Sequence, residues 1–153
     1  MNGTSLTSLS LVMLLAGIGI PVMAALNGGL GERLGNPVLA ATLLFVLALS
    51  VTVLALLVQP EPIAFDLQGI PPQYFLGGVF VAFYVLSATF IAPKIGLGNA
   101  IVLVLLGQLL ASSAIDHFGW LGTQQTTLSP GRGIGLLLIF CGVVLARRPM
   151  MDG

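Results

Sequence analysis

Five long apolar runs, broken by short polar or proline-rich segments, organise this chain: Leu6 to Leu30, Pro37 to Val58, Pro72 to Ala92, Leu97 to Ile115, and Gly133 to Ala146. None of them contains an Asp, Glu, Lys or Arg. A bilayer core about 30 Å thick is crossed by ~20 apolar residues of helix, so four runs span comfortably. The fifth is short but bounded by Arg132 and Arg147. In lipid every backbone group must be satisfied internally, which makes helix the economical structure for runs of this length. The pattern therefore predicts an all-α integral membrane protein, one domain of five transmembrane helices over residues 1–153.

Composition sharpens this picture. Hydrophobic residues make up 57% of the chain and charged residues 7%, against about 25% charged in a soluble domain. A net charge of zero gives no basic face with which to displace counterions from nucleic acid, so no nucleic-acid partner is expected. Cys141 is the single cysteine, and a polarizable core filler is its simplest role. The N-terminal run has no Lys or Arg before it and exceeds the ~7–15 apolar residues of a signal peptide, so it reads as a retained span.

Five spans place the first and third connections and the C-terminus on one side, with Arg33, Lys94, Arg147 and Arg148. The other side holds only Arg132. The bias predicts an external N-terminus and a cytoplasmic C-terminus. On the cytoplasmic side, Gly31 to Pro37 reads as a tight hairpin and Pro93 as the end of the third helix. On the other side, Pro60 to Pro72 and Asp116 to Pro130 are longer, and Trp120 suits the interfacial belt.

Candidate chemistry is sparse. One His, one Cys and no paired carboxylates at depth provide no usual metal or nucleophile set, so neither an enzyme nor a cofactor is expected. Polar groups inside spans are expensive and tend to line cavities or bond across helices. Gln108 lies near the middle of the fourth span, with Ser112 and Asp116 following on one face at i+4 and i+8. A neutral amide can donate and accept, so it suits a polar solute, or equally a hydrogen bond to a neighbouring helix. Pro21 leaves the Gly17 carbonyl without its helical donor, and Gly19 loosens the same turn, so the first span contains either a hinge or a tolerated kink. Asn27 follows toward the cytoplasmic end. Tyr84 and Ser87 bring two hydroxyls to the middle of the third span, and Asn99 reads as the N-cap of the fourth helix or an interfacial residue. Asp116 and His117 are an outer gate or simply an interfacial helix end.

Small residues recur at helical spacing: Gly17, Pro21, Ala24 and Gly28; Gly107, Ala111 and Ala114; Gly135, Gly142 and Ala146. Such faces let helix backbones pack closely in lipid.

Several of these segments resemble the YdcZ family of the drug/metabolite transporter superfamily of bacterial inner-membrane proteins. The likeness is carried by Pro21, Asn27 and Leu30-Gly31-Glu32-Arg33-Leu34-Gly35-Asn36-Pro37, the Ala92-to-Gly96 corner, and Gly107-Gln108-Leu109-Leu110-Ala111-Ser112. Ile115-Asp116-His117-Phe118-Gly119 and Leu128-Ser129-Pro130-Gly131-Arg132 extend it. The resemblance implies a five-helix unit like those of the superfamily and a small secondary transporter of a polar or amphipathic organic solute. It makes Asn27, Gln108, Asp116 and His117 preferred candidates. Larger superfamily members look like two five-span repeats of opposite topology, and four-span relatives work as antiparallel dimers. A dimer is accordingly expected, with itself or with a paralogous subunit. The four-span relatives carry a carboxylate in span 1 that this chain lacks, which argues against export of cationic drugs. An accessory subunit of a larger membrane complex is the alternative.

Overall fold

The computed structural model describes residues 3–61 and 66–146, with side chains from residue 6 onward. Pro62, Arg147 and Arg148 lie outside the described residues. The described chain is helical: α1 Gly3–Leu34, α2 Pro37–Val58, α3 Leu76–Ile95, α4 Leu97–Phe118 and α5 Pro130–Ala146. Short 3₁₀ turns at Pro72–Phe75 and Trp120–Gly122 complete it. Four helical segments are long and apolar enough to cross a membrane, and α5 is a shorter apolar fifth. At 1.5 Å per residue the 17 residues of α5 rise about 25 Å, slightly less than the bilayer core.

Two compact units are present, Met1–Lys94 and Ile95–Gly153. In the first, α1 and α2 form a hairpin around Gly35 and Asn36. Gly35 adopts φ +62°, and two bonds close the end of α1: Gly35 N–H to the Glu32 carbonyl (3.2 Å) and Asn36 N–H to the Gly31 carbonyl (3.1 Å). This is a Schellman closure, for which glycine is the favoured left-handed residue. The Asn36 side chain then caps α2 by accepting from Leu39 N–H at 3.0 Å, with Pro37 in the first turn. Both orphaned helix ends are thereby satisfied within two residues.

α1, α4 and α5 extend beyond their apolar runs, α2 matches its run, and α3 begins at Leu76, after a 3₁₀ turn, but ends later than its run does. α1 is one continuous helix with Pro21 inside it. α3 passes through Pro93 to Ile95 instead of ending at the proline, and the turn into α4 is made by Gly96 at φ +87°. Proline removes one helical donor without forbidding the last turn. Gly96, not Asn99, is the N-cap of α4. Asn99 lies inside the helix and donates from Nδ2 to the Ile95 carbonyl at 2.8 Å.

Packing in the first unit concentrates where α1, α2 and α3 approach beside the hairpin. Ala24, Asn27, Ala40, Ala41, Val85, Thr89 and Ala92 are all buried. A Cβ on Gly31 would stand 3.3 Å from Pro37 Cα, 3.4 Å from Thr89 Cγ2 and 3.7 Å from Ala40 Cβ. A Cβ on Gly28 would meet Pro93 Cγ at 3.8 Å. Small residues at these positions permit the approach, as is usual between helices in lipid. Gly17, at the other end of the same stripe, would have no atom within 4 Å of its Cβ. The same is true of Gly107, Gly135 and Gly142.

Candidate functional site

Asn27 on α1 is the best-anchored polar residue in the first unit. The residue is 4% exposed, and its Nδ2 donates to Thr89 Oγ1 on α3 at 2.6 Å. The Thr89 hydroxyl in turn donates to the Val85 carbonyl one turn back, at 2.7 Å. A hydroxyl has one proton, so with that proton directed at Val85 its oxygen must accept from Asn27. The chain Asn27–Thr89–Val85 therefore fixes the amide with its nitrogen toward α3. Thr89 escaped the sequence reading because a threonine in an apolar helix commonly bonds its own backbone and reveals nothing more. The usable signal was its place one turn before Pro93, on the side that meets Asn27.

Tyr84 lies five residues earlier on α3. Its phenolic oxygen is buried and has no hydrogen-bond partner among the described residues. A buried donor is normally paired, so this hydroxyl is available to a ligand or partner that reaches it. Ser87 is half-buried on the same helix.

The second unit carries the Gln108 stripe. Gln108 and Ser112 are both exposed, and Gln108 makes no hydrogen bond among the described residues. Ser112 Oγ donates to the Leu109 carbonyl at 3.2 Å, so its proton is committed to its own helix. Asp116, at the end of the stripe, pairs with Arg132 Nη2 at 2.9 Å. Of the three, Gln108 alone retains its full donor and acceptor capacity.

Asp116 and His117 are held by the segment that follows them. Gly119 terminates α4 at φ +63°, its N–H bonded to the Ile115 carbonyl. Thr126 N–H bonds the Asp116 carbonyl at 2.8 Å, and Gln125 Nε2 bonds the His117 carbonyl at 3.1 Å. Leu128 N–H donates to His117 Nδ1 at 3.1 Å. Ser129 caps α5, its Oγ accepting from Arg132 N–H at 3.2 Å. The polar run Thr123–Thr127 thus closes the carbonyls that the end of α4 leaves open. Phe118 and Trp120 stack beside it with centroids 4.8 Å apart. The His117 ring accepts through Nδ1, which requires that nitrogen to be unprotonated.

The site residues named from the sequence therefore divide between the units: Gly17, Pro21, Asn27 and Tyr84 in the first, Gln108, Ser112, Asp116 and His117 in the second. No group of three or more His, Cys, Asp or Glu suited to a metal occurs among the described residues.

Residues 8–145 match the model of a protein family described as "Putative inner membrane exporter, YdcZ". No curated protein and no solved structure matches the chain.

Proposed function

Because the chain belongs to the YdcZ family of inner-membrane exporters, we propose that it is a secondary transporter of the drug/metabolite transporter superfamily, exporting a small polar or amphipathic organic solute as a dimer. The observation that carries this reading beyond the family is the set of polar groups kept at membrane depth without charge: the anchored Asn27 amide, the unpartnered Tyr84 hydroxyl and the free Gln108 amide. Groups of this kind are costly in lipid and tend to be retained where they bind. Asn27, Tyr84, Gln108 and Ser112 are the residues proposed to contact the solute. Pro21 and Gly17 are the proposed hinge, and Asp116 with His117 the proposed outer gate. The N-terminus is outside and the C-terminus cytoplasmic, with Arg33 and Lys94 on the cytoplasmic side and Arg132 on the other.

The dimer is supported by the exposed Gln108 face and by Gly107, Gly135 and Gly142, none of which has a neighbour where a Cβ would stand. A second copy or a paralogous subunit would cover both. These surfaces also suit an accessory subunit of a larger complex, which predicts stoichiometric co-purification with unrelated membrane proteins.

The test is a thermal-stability screen of the purified protein against a metabolite and drug library, beside Gln108→Leu. A solute at 100 times its dissociation constant adds about 2.7 kcal/mol. A shift present in the native protein and absent from the variant supports the transporter; no shift with any compound turns the reading toward the accessory subunit.

A further inference from the structure

The groove between α1 and α2 has a volume of about 270 Å³. Seven residues line it: Met23, five leucines including Leu43, Leu44 and Leu47, and Asn27. One amide among six apolar side chains is the whole of its polar chemistry. The groove lies within the first unit and between two helices joined by a closed hairpin, so its walls are fixed relative to one another.

The Asn27 amide is oriented by its far side. Nδ2 is engaged by Thr89, whose own proton is directed at Val85. The carbonyl oxygen, Oδ1, is the opposite face of the same planar group, and no donor reaches it among the described residues. Asn27 is more than nine-tenths buried, yet it lines the groove. An amide oxygen with two free lone pairs is an incomplete hydrogen-bonding group, and hydrocarbon supplies no donor to complete it.

We infer that this groove binds a neutral amphiphile: an apolar body of medium length bearing one hydroxyl or N–H, which donates to Asn27 Oδ1. Three observations select that chemistry. No charged residue lines the groove, so a cation or anion would be buried without a counterion. There is one acceptor, so a polyol or sugar would lose more hydrogen bonds to water than it regained. The volume sits just below the ~300–1,000 Å³ of typical small-molecule pockets, which fits a chain of medium length. The leucines at its mouth, Leu26 at 71% and Leu47 at 68% exposed, leave the groove open to the surrounding bilayer. The ligand thus arrives by partition from lipid. As the class of solute exported, this inference rests on the transporter reading; as a binding site it stands by itself.

The experiment uses the full chain reconstituted in phosphatidylcholine vesicles and two photoprobes, decan-1-ol carrying a mid-chain diazirine and the matching alkane diazirine without the hydroxyl. Cross-linked peptides are mapped by mass spectrometry. The alcohol is expected to label α1 and α2 around Met23, Leu26, Leu43 and Leu47 at least fivefold more than the alkane. Excess unlabelled decan-1-ol should compete. Leu44→Trp, which fills the groove and leaves the Asn27–Thr89 bond in place, should abolish labelling. Asn27→Leu should reduce the alcohol to the alkane level, and Thr89→Val, which removes the anchor but keeps Oδ1, should retain most of it.

Equal labelling by the two probes in the native protein overturns the inference, because the groove then holds only an acyl chain. Unchanged alcohol labelling in Asn27→Leu overturns it too. Should Asn27→Leu fail to fold, Leu44→Trp and the probe comparison decide alone. Efflux of the probe alcohol from the same vesicles is read separately. A specifically labelled groove without efflux removes the export role and keeps the binding site, whereas efflux of other solutes with an unlabelled groove does the reverse.

Discussion

Asn27 on α1 and Thr89 on α3 are joined by a 2.6 Å hydrogen bond, 62 residues apart in sequence and buried at both ends. Their neighbours are small: Ala24, Gly28 and Gly31 on α1, Ala92 on α3, Ala40 on α2. Close backbones and one polar tie are the two means by which helices associate in a medium that gives no hydrophobic drive. A double-mutant cycle of Asn27→Leu and Thr89→Val, followed by denaturant unfolding in mixed micelles, should give a coupling of about 0.6–1.7 kcal/mol. Additive single effects would mean that the two side chains do not interact in the folded state.

Gly31 is the tightest point of that junction. A Cβ there would meet backbone at Pro37 Cα, 3.3 Å away, as well as Thr89 Cγ2 at 3.4 Å. Backbone cannot step aside as a side-chain end can. Gly31→Val should therefore destabilise the protein by about 1–3 kcal/mol, the usual cost of overpacking. Gly29, two residues earlier, has nothing within 4 Å of its Cβ position, and Gly29→Ala should be neutral or slightly stabilising through helix propensity. Equal effects at both positions in the same unfolding assay would contradict the packing described.

How much of this the sequence disclosed follows from which forces act locally. The helices were legible because lipid demands long uncharged runs, and the chain has them. Their ends were less so: Pro93 was expected to end α3, yet the last turn tolerates a missing donor, and the reversal waits for Gly96. Asn27 stood out as a polar residue toward the cytoplasmic end of an apolar run, whereas Thr89 and Gly31 did not, since their importance arises only when α1, α2 and α3 come together. The polar run before α5 was visible as a loop. That Thr126 and Gln125 close the carbonyls of Asp116 and His117 is a tertiary matter that no spacing rule encodes.

Gly119 should tolerate no side chain. It holds φ +63°, and a Cβ would stand 3.2 Å from Gln125 Cβ. The left-handed conformation alone costs an L-residue about 1–2 kcal/mol, and displacing Gln125 would release its bond to the His117 carbonyl. Gly119→Ala should lower stability by at least that amount and speed amide exchange at Thr126 and Leu128. Unchanged exchange at those two amides would show that the segment does not depend on this turn.

Asp116 and Arg132 each sit at the wrong end of their own helix, an acid in the last turn of α4 and a base in the first turn of α5. Each charge is unfavourable toward its own helix dipole, and the 2.9 Å pair offsets this by setting the acid against the base. With the Arg132 side chain 39% and the Asp116 side chain 34% exposed, the pair should contribute no more than about 1 kcal/mol and weaken as salt rises. Neutralising both, as Asp116→Asn with Arg132→Gln, should leave stability within that margin. If Asp116 acts with His117 as the proposed outer gate, solute flux in vesicles will change in that variant while folding does not; unchanged flux would reduce the Asp116–Arg132 pair to a helix-end contact.

Gln108 presents the sharpest test of the proposed assembly. It lies midway along α4, exposed, and without a hydrogen bond among the described residues. A lone amide in hydrocarbon is a liability that a leucine would remove, so Gln108→Leu should leave the thermal stability of the isolated chain unchanged or slightly higher. What it should lose is whatever completes the amide. A solute contact predicts that ligand-induced stabilisation disappears while self-association persists. A contact with a second copy predicts the converse, measured as a shift from dimer to monomer in lipid nanodiscs, and a paired amide across helices is worth roughly 1–2 kcal/mol in such systems, or about five- to thirtyfold in the association constant. If Gln108→Leu altered neither ligand response nor association, both assignments of this residue would fall together.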